Sequence, residues 1–104
     1  MTDTININGT TYIRQDAITH NSEIKIVVLQ RGWVVVGRYA DTDDRVMLSD
    51  AHVIERWGTT EGLGQLRNGP LAETRLRKAG AVEAPLLGVV LTIACDADAW
   101  AGHL

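Results

Sequence analysis

The sequence predicts a mainly β protein, a small and strongly bent antiparallel sheet or small barrel carrying one short helix. Three observations lead there. Short β-branched, apolar runs recur along the chain, as in Ile24 to Leu29 and Trp33 to Tyr39. Glycine-rich or polar turns separate them, among them Asn8-Gly9, Gln30-Arg31-Gly32, Asp41 to Asp44 and Ala79-Gly80. A glycine, Gly37, also sits inside an apolar run, where it weakens a strand unless curvature or close approach requires it. Strands this short and curved fit a barrel or bent sheet better than a flat layer.

The chain has 104 residues, enough for a single core and too few for two. At 45% hydrophobic and 22% charged it has an ordinary globular composition. No apolar run approaches the roughly 20 residues of a membrane helix. Met1 to Thr4 lacks the basic-then-apolar layout of a signal peptide, so the expected location is the cytoplasm. The lone Cys95 has no partner for an internal disulfide and reads as a small buried hydrophobe. Net charge is −3, which does not recruit nucleic acid over the whole surface. Eight of the ten basic residues are nevertheless Arg, the side chain suited to bidentate contact with phosphate or carboxylate.

Thr4 to Ile13 alternates apolar and polar residues around Asn8-Gly9, a dipeptide that favours a type I′ turn, and predicts a hairpin. Arg14 to Ser22 has weak pattern and reads as a linker or one helical turn, so residues 1–22 form an N-terminal hairpin and linker. The β core spans residues 23–95 and a tail residues 96–104. Within the core, Glu23 to Leu29 is a strand, Gln30-Arg31-Gly32 a turn, and Trp33 to Tyr39 a second strand bent at Gly37. Arg45 to Leu48 and Ala51 to Trp57 form a third, kinked near Ser49-Asp50. The spacing predicts the short helix over 59–67. Thr59 or Thr60 caps it, Glu61 suits its positive end, Leu63 and Leu66 share a face, and Asn68-Gly69-Pro70 stops it. Two glycines inside it, Gly62 and Gly64, cost about 1 kcal/mol each against Ala. Close packing is the favoured compensation, and a ligand against the backbone the other. Thr74 to Lys78 alternates, with Arg75 and Arg77 on one face and Leu76 on the other. Ala79-Gly80 then turns the chain so that Ala81 to Ala84 pairs back, and Leu86 to Cys95 reads as a central strand. Trp100 in the tail either docks on the core or marks a subunit contact.

Two family resemblances accompany this pattern. Val28, Gly32, Gly37, Asp43 and Leu48-Ser49-Asp50 resemble the first signature of the Sm-like barrels, in which a bent strand follows a glycine and an aspartate turn precedes a leucine strand. Here the glycine spacing is one residue short, the asparagine after the aspartate turn is absent, and no Arg-Gly pair follows. Those residues build the family's RNA pocket, so RNA binding does not carry over. The second resemblance rests on Leu29 to Val34 and Arg56 to Gly64. Both stretches are similar to recurring motifs in a family of short phage and prophage proteins classed as a domain of unknown function. It implies a viral or mobile-element origin and no established activity.

No Ser-His-Asp set, zinc spacing, phosphate loop or acid pair stands out, so no catalytic residue, metal or cofactor is expected and the protein reads as a non-enzyme. His20 and His52 lack partners at ligand or catalytic spacing. Asp41 to Asp44 lacks the calcium-loop pattern. Glu61 to Gly64 is a poor dinucleotide fingerprint. The candidate binding residues are Trp33, Arg38, Arg56, Trp57, Gly58, Thr59, Thr60, Gly62, Arg75 and Arg77. Backbone N–H groups at a helix start, two hydroxyls and Arg56 make an anion seat, Trp33 or Trp57 can stack a flat base, and Arg75 and Arg77 can close on a phosphate. Glu61 opposes an anion at that spot. The leading expectation is a homo-oligomeric phage-type protein that captures a small nucleotide-like ligand and sequesters it, a nucleotide signal of bacterial antiviral defence being the concrete form. A ring or dimer of dimers ranks ahead of a simple dimer. The alternatives are an Sm-like ring on single-stranded nucleic acid and a structural or host-protein-binding accessory. Long nucleic acid is not an expected partner.

Overall fold

The computed structural model describes residues 23–104; the expected hairpin and linker of residues 1–22 lie outside the described residues. Five strands form one antiparallel sheet: β1 (Ile24–Leu29), β2 (Trp33–Asp41), β3 (Arg45–Arg56), β4 (Arg75–Pro85) and β5 (Val89–Ala94), in the spatial order β4-β3-β2-β1-β5. β1 and β2 are apolar at consecutive positions because both faces at the sheet's centre are covered. Ile24, Ile26, Val34 and Val36 join one core with Ile54, Leu66 and Trp100, while Val27 and Val35 join another with Leu48 and Ala51.

The sheet is strongly bent. β4 and β5 are its two edges, about 19 Å apart in a flat sheet at normal strand spacing. Only Leu86–Gly88, a single 3-10 turn, joins them, and the chain from Pro85 to Val89 reaches at most about 14 Å. The backbone N–H of Leu86 donates to the Asp44 carbonyl (2.8 Å), and Gln30 Nε2 donates to the Leu87 carbonyl (3.4 Å). Two consecutive residues therefore touch the turns at opposite ends of β2. The bend falls at Gly37, where the β2–β3 register shifts. A Cβ on Gly37 would sit 2.9 Å from the Ser49 carbonyl oxygen and 3.1 Å from the Ala51 Cα, so the glycine is there for close approach. Asp50, opposite the bend, takes a positive φ of 50° and holds Arg38 in a 3.0 Å ion pair. The inside of the bend buries Val27, Val35, Leu48 and Ala51, closed by Val82 from one edge and Val89 from the other. β4 and β5 form no ladder with each other, so the sheet stays open.

The other face is covered by two short helical pieces. The expected helix over 59–67 forms only from Leu63 to Asn68, and as a 3-10 helix. Gly62 stands at φ 92°, ψ 178°, a conformation outside any helix and restricted to glycine. The α-helix lies instead in the tail, α1 (Ala97–Ala101), with Asp96 capping it by accepting from the N–H groups of Asp98 (3.0 Å) and Ala99 (3.3 Å). α1 buries Trp100 completely, and its indole N–H donates to the Leu66 carbonyl at 2.8 Å. Trp100 thus docks on the core.

Two further expectations are revised. Ala79-Gly80 is not a turn: β4 runs unbroken through it, and Gly80 (φ 85°) sits in a bulge opposite Ala51. Leu86 to Cys95 begins with the 3-10 turn and continues as β5, which is an edge strand rather than a central one among the described residues. Apolar composition alone does not separate a central strand from an unprotected edge. No helix among the described residues is long and apolar enough to cross a membrane.

Candidate functional site

The Arg56 to Gly64 corner follows the end of β3, and its glycines serve different ends. Gly58 (φ 67°) lies so close to the chain entering β4 that a Cβ would come within 2.4 Å of the Glu73 carbonyl carbon and 2.6 Å of the Thr74 nitrogen. The Thr74 hydroxyl donates to the Trp57 carbonyl (2.7 Å) and accepts from the Leu71 N–H (2.8 Å), which stitches the corner to β4. Gly62 is required by its backbone angles, whereas nothing in the structure requires glycine at 64.

Two of the backbone donors expected to form an anion seat are taken. Gln65 Oε1 accepts from the backbone N–H groups of Thr60 (3.0 Å) and Glu61 (2.9 Å). The Thr60 and Glu61 N–H groups are therefore engaged within the corner, which also holds Gly58, Thr59 and Gly62. Sequence reasoning missed Gln65. The available signal was an amide five residues after a Thr, two residues beyond where a capping partner normally stands.

The arginines divide into separate places. Arg38 pairs with Asp50 at the bend, opposite Ser49. It lies roughly 20 Å along β3 from Arg56 and does not join the corner. Arg56 reaches Glu73 at 3.8 Å, and Arg77 hydrogen-bonds Glu55. Both guanidinium groups are more than half exposed, and each has five N–H donors, so neither acceptor exhausts its partner. Arg75 is exposed and has no carboxylate within 4 Å among the described residues. It stands directly across the ladder from Arg56, while Arg77 faces Val53 and Lys78 faces His52. Like charges opposite one another on neighbouring strands are destabilising. This end of the β3–β4 ribbon concentrates positive charge that Glu55 and Glu73 only partly balance.

Two tryptophans flank it. Trp33 opens β2 and is 57% exposed, and Trp57 follows β3 and is 41% exposed. Alternation places Trp33 on the same face as Val35, which pairs with Val53, which pairs with Arg77. Arg75 shares that face. Leu76, on the other, packs into the core beside Ile54. Trp33, Arg75 and Arg77 thus lie at the exposed end of the face whose middle buries Val35, with Arg56 and Trp57 at its rim. The site is a surface. A shallow hollow of about 440 Å³ lies elsewhere, lined by Asp43, Asp44, Arg45, Pro85, Leu86 and Leu87.

Among the described residues no catalytic grouping accompanies the surface. His52 Nδ1 lies 3.3 Å from the Asp50 carbonyl oxygen, with no nucleophile bonded to it. Among the described residues no three His, Cys, Asp or Glu side chains gather as a metal site. Burial raises the Cys95 thiol to about 11, far from a reactive thiolate. No family model, no curated protein and no solved structure matches the chain.

Proposed function

We propose that the protein is a non-enzymatic binding protein that captures a small phosphate-bearing ligand on the Trp33, Arg75 and Arg77 face, with Arg56 and Trp57 at its rim. The observation that carries this reading is the Arg56–Arg75 pair, two arginines at partnered positions of the β3–β4 ladder, with the exposed Trp57 next in sequence to Arg56. An anion between them would relieve a repulsion that the fold otherwise bears, and Arg is the side chain that grips phosphate with two parallel bonds. An exposed Trp offers a flat apolar face for stacking a base and strengthens that stack beside a cation. A nucleotide has both parts. The similarity of Leu29 to Val34 and Arg56 to Gly64 to short phage proteins suggests the setting: a phage-encoded homo-oligomer in the bacterial cytoplasm that sequesters a nucleotide signal of antiviral defence.

Mass spectrometry of the protein, purified gently and then denatured, tests this directly. The expected result is a co-purifying mononucleotide or short cyclic oligonucleotide. A ladder of longer oligonucleotides would favour the Sm-like, single-stranded nucleic acid reading instead. With net charge −3 and only two Lys, the chain is expected to hold long polyanions weakly and with a shallow salt dependence.

A further inference from the structure

The basic end of the sheet holds a carboxylate that a plain anion site does not need. The register of β3 against β4 shifts between Ile54 and Arg56, which makes Glu55 the extra residue of a bulge. Strand alternation does not settle where a bulged side chain points, but a contact does. Glu55 hydrogen-bonds Arg77, so the two side chains share a face. Glu55 is the less exposed partner, at 39% against 71% for Arg77. The bond engages Oε2, and a carboxylate has lone pairs on both oxygens, so Arg77 fixes the group and leaves it able to accept more. Trp33 stands on its other side. Val35 pairs with Val53, and that antiparallel register, carried two residues further, brings Trp33 level with Glu55. Across three strands the order is therefore an exposed indole, a carboxylate and the partnered Arg56 and Arg75, spread over roughly 10 Å.

We infer that Glu55 selects the base of the ligand and that the base is guanine. This rests on the ligand reading above and adds specificity to it. A phosphate is repelled at Glu55 and attracted where Arg56 and Arg75 partner one another, so the phosphate end belongs there. The part of the ligand that faces Glu55 must instead donate hydrogen bonds. A flat ring stacked on Trp33 turns its edge toward that carboxylate. Guanine carries N1–H and its 2-amino N–H side by side on one edge, a donor pair that meets both oxygens of a carboxylate as a guanidinium does. Adenine and cytosine set a ring acceptor beside their amino group, and uracil flanks its N–H with two carbonyls. Each of these turns a lone pair toward Glu55. In this contact Arg77 is a positioning residue, which orients the carboxylate rather than meeting the base.

The test is calorimetric titration of the full chain with the 5′-monophosphates of guanosine, inosine, adenosine, cytidine and uridine, and with matched guanine and adenine cyclic nucleotides. Guanine nucleotides are expected to bind at least about tenfold more tightly than their adenine, cytosine and uracil counterparts. Inosine monophosphate keeps N1–H and lacks the 2-amino group, so it is expected to fall between guanosine and adenosine. That comparison needs no variant and stands even where a substitution disturbs folding. Glu55→Gln sets an amide donor against the donors of guanine. It is expected to bring guanine and adenine nucleotides within about threefold of each other, chiefly by weakening guanine. An adenine or pyrimidine nucleotide bound as tightly as its guanine counterpart would overturn the inference, and so would a folded Glu55→Gln protein that keeps the full preference. Either result leaves the ligand reading standing, because nucleotides still bind. Binding of no nucleotide at all would overturn both together.

Discussion

Three glycines occupy one seven-residue corner and answer to three different constraints. Gly58 is held by neighbours. Its Cβ would overlap the Glu73–Thr74 backbone, so Gly58→Ala is expected to cost about 3 kcal/mol in urea unfolding, combining a clash with a left-handed φ. Gly62 has open space around it and is held by its φ and ψ alone. Gly62→Ala is expected to cost about 1–2 kcal/mol, less than the change at Gly58. Gly64→Ala meets nothing within 4 Å and is expected to be neutral or stabilising by up to about 1 kcal/mol. A Gly64→Ala loss of comparable size would point to an unseen contact there. Cys95 and Tyr39 supply a pH signature. Burial raises Cys95 from 9.0 to about 11, and burial with Asp41 nearby raises Tyr39 from 10.0 to about 12. In both cases folding favours the protonated form, so between about pH 9 and 12 the folded chain binds more protons than the unfolded one. Stability is therefore full below pH 9 and falls as pH rises through that window. The urea midpoint is expected to drop between pH 8 and 10.5, and to drop less in Cys95→Ala. An equal drop in both would remove Cys95 as a cause.

At the scale of elements, α1 owes its place to one side chain rather than to its own helical tendency, since five residues are far too few to hold a helix alone. Trp100 fills the core and its indole N–H satisfies the Leu66 carbonyl, binding α1 to the Leu63–Asn68 helix. Trp100→Phe keeps most of the apolar volume and removes the indole bond, while the Leu66 carbonyl keeps its bond from the Gly69 N–H (3.0 Å), so the expected cost is about 1 kcal/mol. Trp100→Ala is expected to cost about 3–5 kcal/mol. Calorimetric unfolding separates the two, and equal losses would mean that the hydrogen bond contributes nothing measurable. The strands were legible in the sequence because β-branched runs at Ile24 to Leu29 and Trp33 to Tyr39 and the glycine at the bend are local signals. The helix was misplaced for the opposite reason. Thr59 to Glu61 resembles a helix start, yet the Gln65 amide and the Gly58 approach to Glu73 hold those residues in another conformation, and both depend on tertiary contact. Gly80 was read as a turn because a positive φ serves a bulge as readily as a reversal. The candidate site was legible by residue type but not by partner. Trp33, Arg75 and Arg77 share a face through strand register, while the Thr60 donors were already occupied and Arg38 was engaged at the bend with Asp50.

For the whole molecule, a five-stranded sheet curled through a single 3-10 connection leaves one basic and aromatic face and one uncharged strand edge in solvent. The ligand reading depends on the first of these, and Arg75 is an exposed member of it with no carboxylate within 4 Å among the described residues. An exposed Arg contributes little to folding, so Arg75→Ala is expected to leave the melting temperature within a degree or two of wild type. Removing one of two opposed guanidinium groups relieves repulsion, and a small rise is consistent with that. A fall of many degrees would mean that Arg75 is structural. The most direct measurement is therefore isothermal titration calorimetry of wild type and Arg75→Ala with a panel of linear and cyclic nucleotides. The account predicts that wild type binds at least one of them, and that the variant binds the same ligand about 1–3 kcal/mol more weakly while remaining as stable. Wild-type protein that binds none of the panel, or a variant that binds as tightly as wild type, would contradict it.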